Sequence, residues 1–250
     1  MSTRVDLHVK VLDEDVVRRA KERGIDVIVY APHFERLPSI EETARDFTDE
    51  QVLVVPAREI FTGSWRDRKH VLAVGLTDPI PDFITLSDAM DALEAQGAAV
   101  LAPHPDFLTV SLTPGDLQRY ESLIDAVEVY NPKHLPPHNA GALKLAHSGE
   151  FPTYGSSYAH LPGTVGEVWT TFDRPIESAA DLVDALRSDA PRRVERRTGL
   201  AHQARCALEF AHLGYENSWK KIERLFLSGM EPTHPDHIAY EGAFDDASVY

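Results

Sequence analysis

The sequence predicts an α/β protein built as a closed or nearly closed βα barrel. Three observations carry this. Apolar, strand-like runs alternate with helical patterns, as in βαβ units around a parallel sheet. At least seven such units fit into about 190 residues, which suits a barrel better than an open sheet. The chain has 250 residues and is 43% apolar, enough for one large domain, or for one with a small appendage.

RVDLHVKV (4–11) is the first strand. Alternation sets Val5, Leu7 and Val9 on one face and Asp6, His8 and Lys10 on the other. A helix follows over 13–24, with acids in its first turn and Gly24 beyond its end. IDVIVYAPH (25–33) is the second strand, ended by Pro32. The stretch from Ser39 to Glu42, SIEE, has the form of a capping box opening a second helix. QVLVVPAREIF (51–61) and RKHVLAVGL (68–76) are the third and fourth strands. Leu86, Met90 and Leu93 form one stripe of a helix closed by Gly97. AAVLAPH (98–104) is a strand, and Thr113 with Pro114 opens the next helix. DAVEVYN (125–131) is a strand, 139–149 a helix, and FPTYGSS (151–157) and VGEVWTTF (165–172) are two further strands. Ser178 caps the helix after them. These elements assign 1–197 to the barrel and 198–250 to a small helical C-terminal extension. Trp219, Ile222, Leu225 and Phe226 make an apolar stripe in that extension. Six arginines from Arg187 to Arg205 mark a solvated junction or a local anion patch.

Net charge is −15, from 40 acids against 25 bases, and only 7 of the bases are lysine. Such a field repels phosphate backbones and disfavours a general nucleic-acid-binding surface. An acidic, lysine-poor surface also fits a halophilic protein. A nuclease would need a basic stripe, which only 187–205 offers. No apolar run approaches the length of a membrane span, and MSTRVDL enters a strand without a signal-peptide pattern. The expectation is a soluble, cytoplasmic protein; no motif speaks to its oligomeric state. The single cysteine, Cys206, excludes an internal disulfide and reads as a small buried residue on a helix.

Nearly every strand delivers one histidine or glutamate near its end. His8 lies in the first, His33 ends the second, and Glu59 lies in the third. His70 opens the fourth, His104 ends the fifth, Glu128 lies in the sixth, and His160 follows the seventh. In a βα barrel the C-terminal strand ends converge on one mouth, where active sites form. Imidazoles and a carboxylate gathered there are ligands for a divalent ion: Zn, Mn or Fe.

These residues resemble the PHP (polymerase and histidinol phosphatase) family of metal-dependent phosphoesterases. The match runs over about residues 4–172. It comprises Asp6-Leu-His8, His33, Glu59, His70, His104-Pro105, and Gly155 through His160, in the family's order. The resemblance implies a distorted TIM-like (β/α)7 barrel of the PHP type, with a cluster of two or three metals. Three departures stand out. Lys10 replaces the second histidine of the opening motif, and Tyr158 or Ser157 falls where the closing motif has aspartate. Leu12–Asp15 replaces a serine-aspartate-glycine. The first two departures strike one metal site.

The resulting expectation has two divalent ions. Glu59, His70 and His104 hold one; His33 and His160 hold another, with Asp13 or Asp15. An ammonium cannot ligate a metal. Lys10 therefore supplies positive charge where the family places an ion, beside the candidate ligand His8. His8, Lys10 and His160 are the catalytic candidates, with His160 able to protonate a leaving oxygen. Arg66, Arg68, Asn131 and Lys133 are candidates for binding substrate. Alternation turns Arg58 away from the mouth, and His134, His138 and His147 read as surface histidines. The function implied is hydrolysis of a small phosphate monoester or nucleotide-type phosphodiester. The competing reading is a degenerate barrel that binds or scaffolds without catalysis.

Overall fold

The computed structural model describes residues 1–64, 67–106, 110–215 and 232–247. Arg66 and the stripe of Trp219, Ile222, Leu225 and Phe226 lie outside the described residues. In chain order the strands are β1 (Thr3–Val9), β2 (Val27–Tyr30), β3 (Leu53–Thr62), β4 (Lys69–Val74), β5 (Ala99–Ala102), β6 (Ala126–Tyr130), β7 (Thr153–Gly155), β8 (Val168–Phe172) and β9 (Arg192–Arg196). The helices are α1 (Glu14–Arg23), α2 (Leu37–Phe47), α3 (Leu86–Gln96), α4 (Pro114–Arg119), α5 (Pro136–Ser148), α6 (Ala179–Arg187) and α7 (Leu200–Tyr215). No helix among the described residues is long and apolar enough to cross a membrane.

Local chemistry sets most helix ends. Asp13 accepts from the Val16 amide, and Gly24, at φ +67°, closes α1. Thr85 and Gly97 bound α3 in the same way. Thr113 and Asp116 form a reciprocal capping box on α4, and Ser178 caps α6. Two starts differ from expectation. Helix α2 begins at Leu37 with Pro38 in its first turn, so Ser39 lies inside the helix and caps nothing. Helix α5 begins at Pro136, because proline tolerates the first turn, where its missing N–H has no acceptor to lose. The arginine-rich junction contains β9, which the pattern of charges concealed.

The strands form one sheet in the order β7-β6-β5-β4-β3-β2-β1-β8-β9. Alternation with helices predicted parallel neighbours throughout, but β4 and β8 each run antiparallel to both of their neighbours. Each follows a connection without an α-helix: residues 63–68 before β4, and 156–167, with only a 3-10 turn, before β8. A parallel return needs a crossover of a dozen or more residues, usually helical, so each chain reverses instead. The reversals put His70 and the 156–167 loop at the mouth.

One apolar cluster draws on eight strands, through Val5, Val27, Val55, Leu72, Ala99, Ala126, Tyr154 and Phe172. Only the interior of a nearly closed barrel can touch all eight. Leu182 and Leu186 of α6 join that cluster. Separate clusters pack α1 and α2, and α3 to α5, against the outside. In β1 the register slips between Asp6 and Val9, with Asp6 opposite Ile28 but Val9 opposite Tyr30. This bulge breaks the simple alternation. Val5 and Leu7 stay in the interior apolar cluster, while His8 and Lys10 still reach the mouth.

The seam between β7 and β8 is made by a side chain. The Thr170 hydroxyl accepts from the Gly155 amide and donates to its carbonyl, both at 3.0 Å. Glycine is required there, since a Cβ would lie 2.5 Å from Val194 Cγ1. Thr170→Val keeps the shape but strips both Gly155 groups of their partner. It should cost about 1–3 kcal/mol in urea denaturation, while Thr170→Ser should cost less.

Candidate metal centre

The mouth is organised around the Glu59 carboxylate on β3, which is fully buried. Its Oε1 lies 3.1 Å from His104 Nε2 and 3.2 Å from His70 Nδ1. Its Oε2 lies 2.6 Å from Lys10 Nζ, 2.9 Å from His33 Nε2 and 3.8 Å from His8 Nε2. Side chains spread over nearly a hundred positions thus meet on one carboxylate. Arg58, one residue earlier, faces the other way onto Asp82 at 3.0 Å.

Donor atoms of Glu59, His70 and His104 lie within 4.8 Å of one another, near the ~4 Å that separates two ligands of one ion. Both ring nitrogens of His8, and Nε2 of His70, are buried without a hydrogen-bond partner. Orphaned imidazole nitrogens beside a carboxylate are the donor set that a divalent ion satisfies, so these residues fit such an ion. His104 Nδ1 faces the Ser111 hydroxyl at 3.1 Å, which fixes the ring with Nε2 toward Glu59.

Electrostatics keep the imidazoles neutral. Burial, then the Lys10 charge, pulls His33 down to about 3. Burial pulls His70 to about 4 and holds His8 and His160 well below the ordinary imidazole value. Burial alone would raise the Glu59 carboxyl, but Lys10 and the surrounding imidazoles outweigh it and hold the group well below its usual range.

Lys10 donates to Glu59 and to the Ala31 carbonyl, each at 2.6 Å. Tyr158, at φ +45°, stands in the middle of the site. Its ring centre is 4.6 Å from that of His8, 5.5 Å from His104 and 4.9 Å from His160. Lys10 Nζ is 5.6 Å and Lys133 Nζ 4.4 Å from the same ring centre. The aromatic ring, not Ser157, therefore takes the central position in the closing motif. His160 lies beyond Tyr158, its ring 5.5 Å from that of His33. Its Nδ1 meets a donor, Lys133, and an acceptor, the Tyr158 carbonyl.

Lys133 is buried and also pairs with Glu209 at 3.4 Å. Asn131 is bound within the β6–α5 connection. Its amide donates to Glu128, and its side-chain oxygen accepts from the Lys133 amide. Arg68 lies 5.2 Å over the Phe83 ring. Asp13 caps α1, and Asp15 pairs with Arg18 on the surface. His134, expected on the surface, is buried with its ring 6.3 Å from His104; His138 and His147 are exposed. Cys206 is only half-buried.

Sequence reasoning missed Glu209. Fully buried on α7, it accepts from the His160 and Leu161 amides at 2.9 and 3.0 Å and from the Thr164 hydroxyl. Its signal, one acid within ARCALEFAH, is weak without the fold. Also missed was a wall beside His33, where Phe34 stacks on Phe61 at 4.7 Å and on Phe83 at 6.0 Å.

In the metal-free protein, unfolded imidazoles take protons near pH 6.5 that His33 and His70 refuse until about 3 and about 4. The unfolded state then binds more protons, so stability should fall as pH drops from about 6.5 toward 4. The loss is at most about 1.4 kcal/mol per pH unit for each imidazole. Urea denaturation of chelated protein at pH 7, 5.5 and 4.5 measures it. Equal midpoints at the three values would contradict the assignment.

A family model described as PHP-associated matches residues 136–191. An uncharacterized protein of Methanocaldococcus jannaschii, MJ1587, is 26% identical over 120 residues, which cover 48% of this chain. The match spans 66% of that relative's length. PsfC from Pseudomonas syringae PB-5123 superimposes with a TM-score of 0.66 at 20% identity, covering 86% of this chain and 99% of PsfC. The lesion-specific endonuclease PfuEndoQ from Pyrococcus furiosus gives 0.56 at 16%, covering 78% of this chain and 58% of the endonuclease. The two structures establish the fold. The PHP-associated segment and the ordered set of histidines and glutamates make the chain similar to the PHP family.

Proposed function

We propose that the protein is a metal-dependent phosphoesterase acting on a small phosphate monoester or nucleotide-type phosphodiester. The observation that carries this reading is the division of the Glu59 carboxylate. Oε1 faces two imidazoles, whereas Oε2 is held by the Lys10 ammonium and by His33. Glu59, His70 and His104 would hold one divalent ion, and His33 and His160 are the candidates for a second, with His8 alongside. A bound ion supplies Lewis acidity, which acidifies water and polarises a phosphoryl oxygen.

The chain's own groups do the rest. Lys10 gives the site a fixed positive charge that no chelator removes. Lys133 brings a second ammonium to the Tyr158 ring, so a phosphoryl group entering there meets two cations. Burial and Lys133 keep His160 neutral in the free protein, with Lys133 the adjacent group at Nδ1. The stack of Phe34 on Phe61 shields His33 from water on one side. A net charge of −15 favours a small substrate over a long polynucleotide. An Endonuclease Q of similar fold is solved with a duplex substrate carrying an abasic lesion, so such a duplex belongs among the substrates tested.

Protein supplied with Mn²⁺ or Zn²⁺ should hydrolyse p-nitrophenyl phosphate or its bis ester. Glu59→Ala and His104→Ala should each lower kcat/KM by about 10³-fold or more. Turnover unchanged by either substitution would leave the non-catalytic binding barrel as the better reading. Lys10→His should raise bound metal by about one ion per chain, because a second imidazole then joins His8 and Glu59 as a third ligand. Elemental analysis that finds no gain would end the idea that Lys10 stands in for an ion.

A further inference from the structure

A second cavity, of about 540 Å³, opens beside the metal centre, between the β6–α5 connection, the end of β9 and α7. This volume lies within the range of small-molecule sites. Lys133 and His134 line it and also belong to the mouth, so the two spaces share a wall. Its sides are largely apolar: Tyr130, Leu135 and Phe210, the last two about half exposed. Leu135 and Phe210 give the concavity apolar surface that a bound ligand can cover.

Arg196 gives this cavity its chemistry. Its guanidinium lies 4.5 Å over the Tyr130 ring and has no carboxylate within ion-pair distance among the described residues. Its neighbour Arg197 is tied to the Gly166 and Arg23 carbonyls instead. Stacking holds the guanidinium plane and leaves its in-plane N–H donors available for a carboxylate or phosphate.

We propose that this cavity is the leaving-group pocket. It takes a planar, largely apolar body that carries a second anionic group, as in an acidic aryl phosphate. The reacting phosphoryl would lie at Lys133, the planar body against Phe210, and the second anion on Arg196. The orientation rests on the phosphoesterase reading; the binding chemistry does not.

The test uses the full chain with Mn²⁺ and compares phenyl phosphate with 4-carboxyphenyl phosphate. Arg196→Ala should raise KM for the carboxylated ester about tenfold and leave kcat and the phenyl phosphate KM within about twofold. Phe210→Ala should raise KM for both. Both side chains are exposed, so neither change opens the core. An Arg196→Ala effect that is equal on the two esters, or absent, overturns the assignment. Calorimetry with 4-carboxybenzylphosphonate, which cannot be hydrolysed, separates the two claims. If no ester turns over but Arg196→Ala still weakens phosphonate binding about tenfold, the pocket stands and the phosphoesterase reading falls. If phosphonate binding ignores both substitutions, the pocket falls whatever the catalysis.

Discussion

Glu59 carries its negative charge where no water can solvate it, and the rest of the mouth is arranged around that fact. A lone buried carboxylate would neutralise itself by taking up a proton. Here Lys10 prevents this at 2.6 Å, with imidazoles completing the shell of polar contacts. The same burial that would raise the carboxyl drives the imidazoles to their neutral, ligand-competent form. One desolvated site thus holds both an acceptor anion and neutral donors for a cation, as a metal centre requires.

Further buried carboxylates organise the loops that bring these groups together. Asp6 accepts from the Ser157 and Gly166 amides at 2.9 and 2.8 Å, bracketing the loop that carries Tyr158 and His160. Glu128 accepts from the His104 amide, Asn131 and the Ser156 hydroxyl. Glu209 closes the set from α7, and Glu167 anchors that helix through His202 and Arg205. Charge-assisted bonds of this kind are stronger than neutral ones, and they hold backbone that would otherwise relax. Phe34, His104 and Tyr158 have φ of +54°, +35° and +45°, a region that is costly for side-chain-bearing residues. Their clustering at the mouth is consistent with strain held in place by surrounding packing.

Helix α7 is therefore part of the mouth's architecture. Without α7, Lys133 would lose its carboxylate, and the His160 and Leu161 amides would lose their acceptor. The same helix supplies Phe210 to the neighbouring cavity. Positioning of a mouth loop and the lining of a second pocket thus come from one element.

The alternation of strands and helices, most caps, and the procession of histidines and glutamates were legible in the sequence. Each depends on spacings of a few residues and on the barrel rule that strand ends converge. The reversed strands had a signal too, since no helical pattern separates β3 from β4 or β7 from β8. Other features needed the tertiary structure. The β1 bulge breaks the face pattern that alternation assigns to Val5 through Lys10, and β9 hides within a run of arginines. His134 reads as a surface residue until α5 and the mouth close over it. Choosing Tyr158 over Ser157, and finding Glu209 at all, required partners far away in the chain: Glu209 meets the His160 amide across 49 residues. Propensity and capping are settled by nearest neighbours along the chain. Which buried charge compensates which is settled only when distant segments share a space from which water is excluded.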